Sequence, residues 1–130
     1  MMNTRHNNRL LIADDDETLL FAFRKLFRNE DIQIDSASSV EEAKELIKNN
    51  HYDLVLSDLR FVNHTEGDGY EILSFVKQCD PETVTILWTA FCASLSKKRL
   101  EKYLVDYHFC KPIPLEEIRQ VMVHIGLLSP

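Results

Sequence analysis

Short apolar runs alternate with longer stretches whose apolar residues recur at helical spacing, and the pattern repeats five times along the chain. This alternation is the signature of a parallel sheet covered by helices on both faces. It predicts an α/β fold: a doubly wound sheet of five parallel strands with five helices. Several of the apolar runs also end on a reactive polar residue. Leu10-Leu11-Ile12-Ala13 runs into Asp14-Asp15-Asp16, Leu54-Val55-Leu56-Ser57 into Asp58, and Val84-Thr85-Ile86-Leu87-Trp88 into Thr89; Tyr107-His108-Phe109-Cys110 stops at Lys111-Pro112. Parallel strands share one carboxyl edge, where open α/β sheets place their ligands. Acids, a hydroxyl and an ammonium should therefore meet in one cleft.

Each intervening stretch has its own apolar stripe. Leu19, Phe23, Leu26 and Phe27 share a helical face, with Asn29 as the expected stop. Ile32, Ile34 and Ser36 alternate with Gln33 and Asp35, which suits a half-exposed edge strand. Ser39 with Glu42 forms a capping box before a helix that buries Val40, Ala43 and Ile47. Val55 to Ser57 reads as a central strand, followed by a long loop from Leu59 to Asp68. Gly69 is expected to open a third helix with Ile72, Leu73 and Val76 inward, and Pro81 marks the turn to the fourth strand. Leu95 to Leu104 is a weaker, more polar helix. The last helix should carry Pro114 in its first turn and Glu116 and Glu117 near its positive end, and bury Ile118, Val121, Met122 and Ile125.

Bulk properties bound the function. A chain of 130 residues, 45% of them hydrophobic, can fill the core of one domain. No stretch approaches the roughly 18 apolar residues of a membrane span, and the polar start Met1 to Asn8 lacks the core of a signal peptide. A cytoplasmic location and no membrane contact are expected. Cys79, Cys92 and Cys110 are odd in number and widely spaced, so reduced, mostly packed thiols are expected rather than a disulfide framework or a zinc site. A formal net charge of −6 argues against direct nucleic-acid binding, which draws its affinity from clustered Lys and Arg. The basic group Lys97, Lys98, Arg99 and Lys102 reads as a solvated helix face, with an acidic-partner surface as the other reading.

The run ends carry the chemistry. Adjacent strand residues point to opposite faces, so Asp14 and Asp15 can share a site only where the strand has ended and turned. Clustered carboxylates repel one another, and a hard cation such as Mg²⁺ is the usual reason to gather them; otherwise they cap the first helix. Asp58 follows an apolar strand, where an unpaired carboxylate is costly, so it needs a metal, a lysine or a chemical role. A carboxylate can act as a nucleophile and form an aspartyl phosphate. Lys111 can neutralise phosphoryl charge, and Thr89 can donate to a phosphoryl oxygen.

Five pieces in register then resemble one family. Leu11-Ile12-Ala13-Asp14-Asp15, Tyr52 to Leu59, Asp68-Gly69-Tyr70-Glu71, Trp88-Thr89-Ala90 and Cys110-Lys111-Pro112 are similar to the motifs of response-regulator receiver domains of two-component phosphorelays. The resemblance implies a flavodoxin-like sheet of strand order 2-1-3-4-5 in residues 10–128, after an extended or disordered segment 1–9. It implies Asp58 as phosphoacceptor from a phosphohistidine on a histidine kinase or histidine phosphotransfer protein. It further implies Mg²⁺ held by Asp14, Asp15, Asp58 and the Arg60 carbonyl, phosphoryl oxygens bound by Thr89 and Lys111, and a cis bond between Lys111 and Pro112. Such a protein is not an enzyme in the ordinary sense: it catalyses only its own phosphorylation and slow dephosphorylation. Its output passes to a downstream protein, or to an output domain absent from this chain, with a homodimer left open. The end at Leu128-Ser129-Pro130 fits a stand-alone receiver or a piece of a longer protein.

The departures from the family pattern set further expectations. The loop Phe61 to Gly67 lacks the usual proline and is about three residues longer than usual, so it either alters partner contact and metal access or is a tolerated insertion. His108 stands at the aromatic switch position, as a pH-sensitive element or as a tolerated polar residue. Phe91 and Arg60 flank the expected path of hydrolytic water, and a bulky Phe91 predicts slow self-dephosphorylation. Two other readings remain. A phosphorylation-independent binding or dimerisation module would be expected to lose the acids, acceptor or lysine. A hydrolase of the aspartyl-phosphate type would carry a second acid where Arg60 stands.

Overall fold

The strands β1 (Arg9–Ala13), β2 (Gln33–Ala37), β3 (Leu54–Asp58), β4 (Val84–Thr89) and β5 (Tyr107–Cys110) alternate with the helices α1 (Glu17–Leu26), α2 (Val40–Asn49), α3 (Gly67–Cys79), α4 (Lys97–Lys102) and α5 (Leu115–His124). These elements come from a computed structural model that describes residues 8–59, 61, 67–90, 92–112 and 115–130. Arg60, Phe91, Ile113 and Pro114, the loop residues 62–66 and residues 1–7 lie outside the described residues, and so do the expectations placed on them.

All strand pairs are parallel, in the order β2-β1-β3-β4-β5. The chain steps outward from β1 to β2 and then crosses back to β3. That reversal opens a crevice at the carboxyl ends of β1 and β3. Side-chain alternation splits the core into two layers. Leu11, Val55 and Leu87 pack with Ala43, Ile47, Ile72 and Leu73 from α2 and α3. Leu10, Ile12, Leu54, Leu56, Ile86 and Trp88 pack with Phe23, Phe27, Ile118 and Met122. Burying one such aliphatic side chain stabilises the fold by about 1.5–3 kcal/mol before entropy is counted. The central strands therefore hold the crevice firmly.

Local chemistry explains most element ends, and several differ from expectation. Asp16 caps α1 by accepting the amides of Thr18 and Leu19. The helix then stops at Phe27 rather than Asn29, and Leu26 is exposed because the buried stripe runs through Phe23 and Phe27 instead. Ser39 Oγ accepts the Glu42 amide at 3.1 Å, but the Glu42 carboxylate takes the amide of Ser38 at 2.8 Å, one residue short of a reciprocal box. α3 begins at Gly67, two residues before Gly69. Ile125 lies past the end of α5 and is half-buried, packed at the margin of the α1 and α5 layer. β2 is a half-exposed edge strand, as its alternation required.

The expectation of three reduced, mostly packed thiols is corrected. Cys92 and Cys110 form a disulfide with their Cα atoms 5.6 Å apart, and Cys79 is free and exposed. Spacing along the chain could not show this. The bridge exists because the turn after β4 and the end of β5 arrive together at one edge of the sheet.

Candidate functional site

Four residues from three strand ends converge at the carboxyl edge. β1 ends at Ala13, and the Asp14 amide donates to the Ala37 carbonyl at 3.0 Å, which anchors the turn on the neighbouring strand. Asp14 Oδ1 accepts the Asp16 amide at 2.9 Å, so the chain bends there and both flanking acids can face the crevice. Asp14 is fully buried and Asp15 half-buried. The acidic triplet serves both roles read from its sequence: Asp16 caps the helix, while Asp14 and Asp15 join Asp58. Carboxylate oxygens of Asp14, Asp15 and Asp58 all lie within 4.8 Å of one another.

Asp58 closes β3 in register with Trp88 of β4. Its carbonyl accepts the Ser57 hydroxyl at 2.8 Å, and the next carbonyl, that of Leu59, accepts the Gly69 amide at 2.9 Å. α3 thus starts hard against the end of β3. A methyl group at Gly69 would collide with the Asp58 carbonyl oxygen and stand 2.9 Å from Leu59 Cα. Glycine is required there for close approach.

Lys111 supplies the cation. Its Nζ donates to Asp14 Oδ2 at 2.8 Å and reaches Asp58 Oδ2 at 3.5 Å. It also sits 5.9 Å from the centroid of the Trp88 ring, within cation–π reach. The Lys111 amide donates to the Thr89 carbonyl at 2.8 Å, and the Lys111–Pro112 bond is cis. Burial works against the ammonium, but Asp14 and then Asp58 outweigh it and hold the Lys111 pKa above the ordinary lysine value. The lysine is therefore charged throughout the neutral range.

Asp14, Asp15, Asp58 and Lys111 form one cluster, and Thr89 is buried at the end of β4 beside it, in register with Cys110. Arg60 lies outside the described residues. His108 is exposed on β5. Three carboxylates against one ammonium leave excess negative charge among the described residues, a donor set of hard oxygens that suits a divalent cation such as Mg²⁺. Sequence reasoning did not single out Trp88 as a neighbour of the lysine, nor the two cysteines. The Asp68-Gly69 pair was visible as a motif, but its packing against Asp58 needed the structure.

Comparison with known proteins gives a consistent result. The family model described as response regulator receiver domain matches residues 10–123. The chain is 28% identical over 116 residues to sporulation initiation phosphotransferase F of Bacillus subtilis, covering 89% of this chain and 91% of that protein. It is 25% identical to the response regulator protein PilR of Pseudomonas aeruginosa, covering 88% of this chain but 25% of that protein. The crystal structure of the response regulator TrrA from Thermotoga maritima, in complex with Mg²⁺ and BeF, superposes with a TM-score of 0.75. That match has 21% identity and covers 90% of this chain and 97% of that one, a likeness of fold.

Proposed function

We propose a function from the premise that this chain belongs to the family of response-regulator receiver domains. Receivers are signalling domains rather than enzymes in the ordinary sense. In this reading Asp58 is the phosphoacceptor. One of its carboxylate oxygens attacks the phosphorus of a phosphohistidine, the P–N bond breaks, and the departing imidazole takes a proton. The product is an acyl phosphate that carries close to two negative charges.

The observation that carries this reading is the Lys111 ammonium, held 2.8 Å from Asp14 and 3.5 Å from Asp58 among three converging carboxylates. Lys111 already lies within reach of the acceptor oxygen, so it can follow the charge onto the phosphoryl group. Thr89 donates its hydroxyl to a second phosphoryl oxygen from the end of β4. Asp14, Asp15 and Asp58 would hold Mg²⁺, which when bound screens their repulsion and the charge of the incoming phosphoryl group. Asp14 has a further part: buried and bonded to the lysine, it keeps the ammonium at the mouth of the site.

The donor is a histidine kinase or a histidine phosphotransfer protein, and the readout passes to a downstream protein. A cytoplasmic location follows from those partners. Among the described residues no helix is long and apolar enough to cross a membrane. The test is intact-protein mass after incubation with Mg²⁺ and phosphoramidate. One phosphate adduct on the wild type, absent from Asp58→Ala, is expected. Absence of any adduct where a control receiver is labelled would favour a phosphorylation-independent binding module.

A further inference from the structure

We propose that the Cys92–Cys110 disulfide is a reversible oxidation site that holds the domain in its unphosphorylated arrangement until a dithiol reductant opens it. The inference rests on the phosphoacceptor reading, because it concerns what that reading requires to move.

The bridge brackets the phosphoryl-binding pair. Cys110 is the register partner of Thr89 and immediately precedes Lys111, while Cys92, three residues after Thr89, opens a short 3-10 turn. The Lys111 amide is bonded to the Thr89 carbonyl at 2.8 Å, so the two switch residues and the two sulfurs share one small patch of backbone. A phosphoryl group on Asp58 draws the Thr89 hydroxyl toward it and tugs the turn that carries Cys92. With the bridge closed, that turn is tied to the end of β5.

The segment inside the bridge depends on the tie more than other parts of the fold would. The sulfurs are separated by 18 positions, a span that holds α4 and most of β5, and neither element buries a single residue. Of its partly buried side chains, Leu95, Leu100, Tyr103 and Val105 pack at the margin of the α2 and α3 layer, and Tyr107 and Phe109 at the margin of the α1 and α5 layer. Few core contacts compete with the covalent link. The site is also reachable: Cys110 is exposed and Cys92 half-buried. Cys79 closes α3 at the opposite end of the sheet, so it is not placed to resolve the bridge. In the cytoplasm proposed above, a bridge of this kind is expected to be transient and regulatory.

Opening is a thiol–disulfide exchange. A thiolate of the reductant attacks one sulfur, a mixed disulfide forms, and the second reductant thiol displaces it. Two electrons and two protons pass to the protein, which gains two thiols, and the reductant leaves as its own disulfide. A low-molecular-weight disulfide such as oxidised glutathione reverses the reaction.

Linkage gives the test. If oxidation favours the arrangement without a phosphoryl group, a phosphoryl mimic must favour reduction by the same factor. Full-length protein carrying Cys79→Ser is titrated with Mg²⁺ and beryllofluoride in its oxidised and reduced forms, using the fluorescence of the only tryptophan, Trp88, beside Lys111. Alkylation under denaturing conditions, read by mass, assigns the thiol state. Affinity about tenfold weaker in the oxidised form is expected. The midpoint for reduction should then shift by about 30 mV when the mimic is bound. A Cys92→Ser, Cys110→Ser variant should bind like the reduced form and ignore oxidant. Equal affinities and an unmoved midpoint, or failure of the bridge to form, would overturn the switch and leave the receiver reading standing. No binding in either form, together with no phosphate adduct, would overturn both.

Discussion

β3 and β5 end at the same edge of the sheet, yet four of the five residues of β3 are buried and none of the four in β5 is. The contrast extends to the flanking helices. α3 starts against the Asp58 carbonyl so closely that only glycine fits, whereas α4 has no buried residue and is followed by Leu104, exposed and in the left-handed region at φ 60°. The acids stand on a support that can hardly move without cavities opening in the core. The segment from Cys92 to Cys110 is held by marginal contacts, a disulfide and a polar knot in which Thr85 Oγ1 donates to the Leu104 carbonyl at 2.8 Å and Asp106 accepts the Thr85 amide at 2.9 Å. Sites need rigid geometry for their reacting groups, while elements that respond are drawn from the less stable parts of a fold. In this domain the firm and the soft parts divide by strand.

The largest effect that can break this contrast is in the core. Leu56→Ala should lose about 2–5 kcal/mol in urea denaturation, whereas Leu100→Ala on α4 should lose about 1 kcal/mol because its side chain is only partly covered. Similar losses at the two positions would mean that the α4 side is not the softer one. Gly69→Ala should cost about 1–3 kcal/mol through overpacking. It should also weaken beryllofluoride binding, since relief of the clash displaces Asp58; lost stability with unaltered binding would separate α3 from the site.

A smaller effect of opposite sign is expected in the soft segment. Leu104→Gly should raise stability by about 0.5–1 kcal/mol, by removing the left-handed penalty at a position whose side chain is exposed. No gain in a thermal melt would show that the Leu104 side chain matters where it lies.

The smallest effect lies at the far edge of the sheet. Burial opposes the charge of Asp35, but the Tyr52 hydroxyl and the Arg9 guanidinium outweigh it and hold its pKa below the ordinary 3.8. A carboxyl whose pKa is lower folded than unfolded stabilises the fold above its unfolded pKa, and that contribution is lost as pH falls through the folded value. The stability difference between wild type and Asp35→Asn should be constant near neutrality and shrink below about pH 3.8. A difference that persisted in acid would make the effect steric rather than electrostatic.

Legibility follows the same division. The buried strands announced themselves because a strand covered on both faces must be apolar throughout, and Asp14, Asp15, Asp58 and Thr89 were found as the polar residues that end such runs, with Lys111 at the end of the shorter, more exposed β5. The softer features were not. Leu26 fits the apolar stripe of α1 by spacing, but the sheet meets that helix along Phe23 and Phe27, and a periodicity cannot say where its centre will face. Leu104 offers no local signal for a left-handed residue; the polar knot with Thr85 and Asp106 accompanies it, and Thr85, of which the neighbouring sequence gives no hint, lies on β4.

By itself, the sequence determined which segments become strands and helices, that the strands run parallel, and which side chains crown their carboxyl ends, since burial on two faces and helical spacing are properties of neighbouring residues. Tertiary structure alone decided what those ends touch. The Lys111 ammonium rests between Asp14 and Asp58, Gly69 abuts the Asp58 carbonyl, and Cys92 meets Cys110, because strand order and register bring together groups whose separation along the chain carries no information about their separation in space.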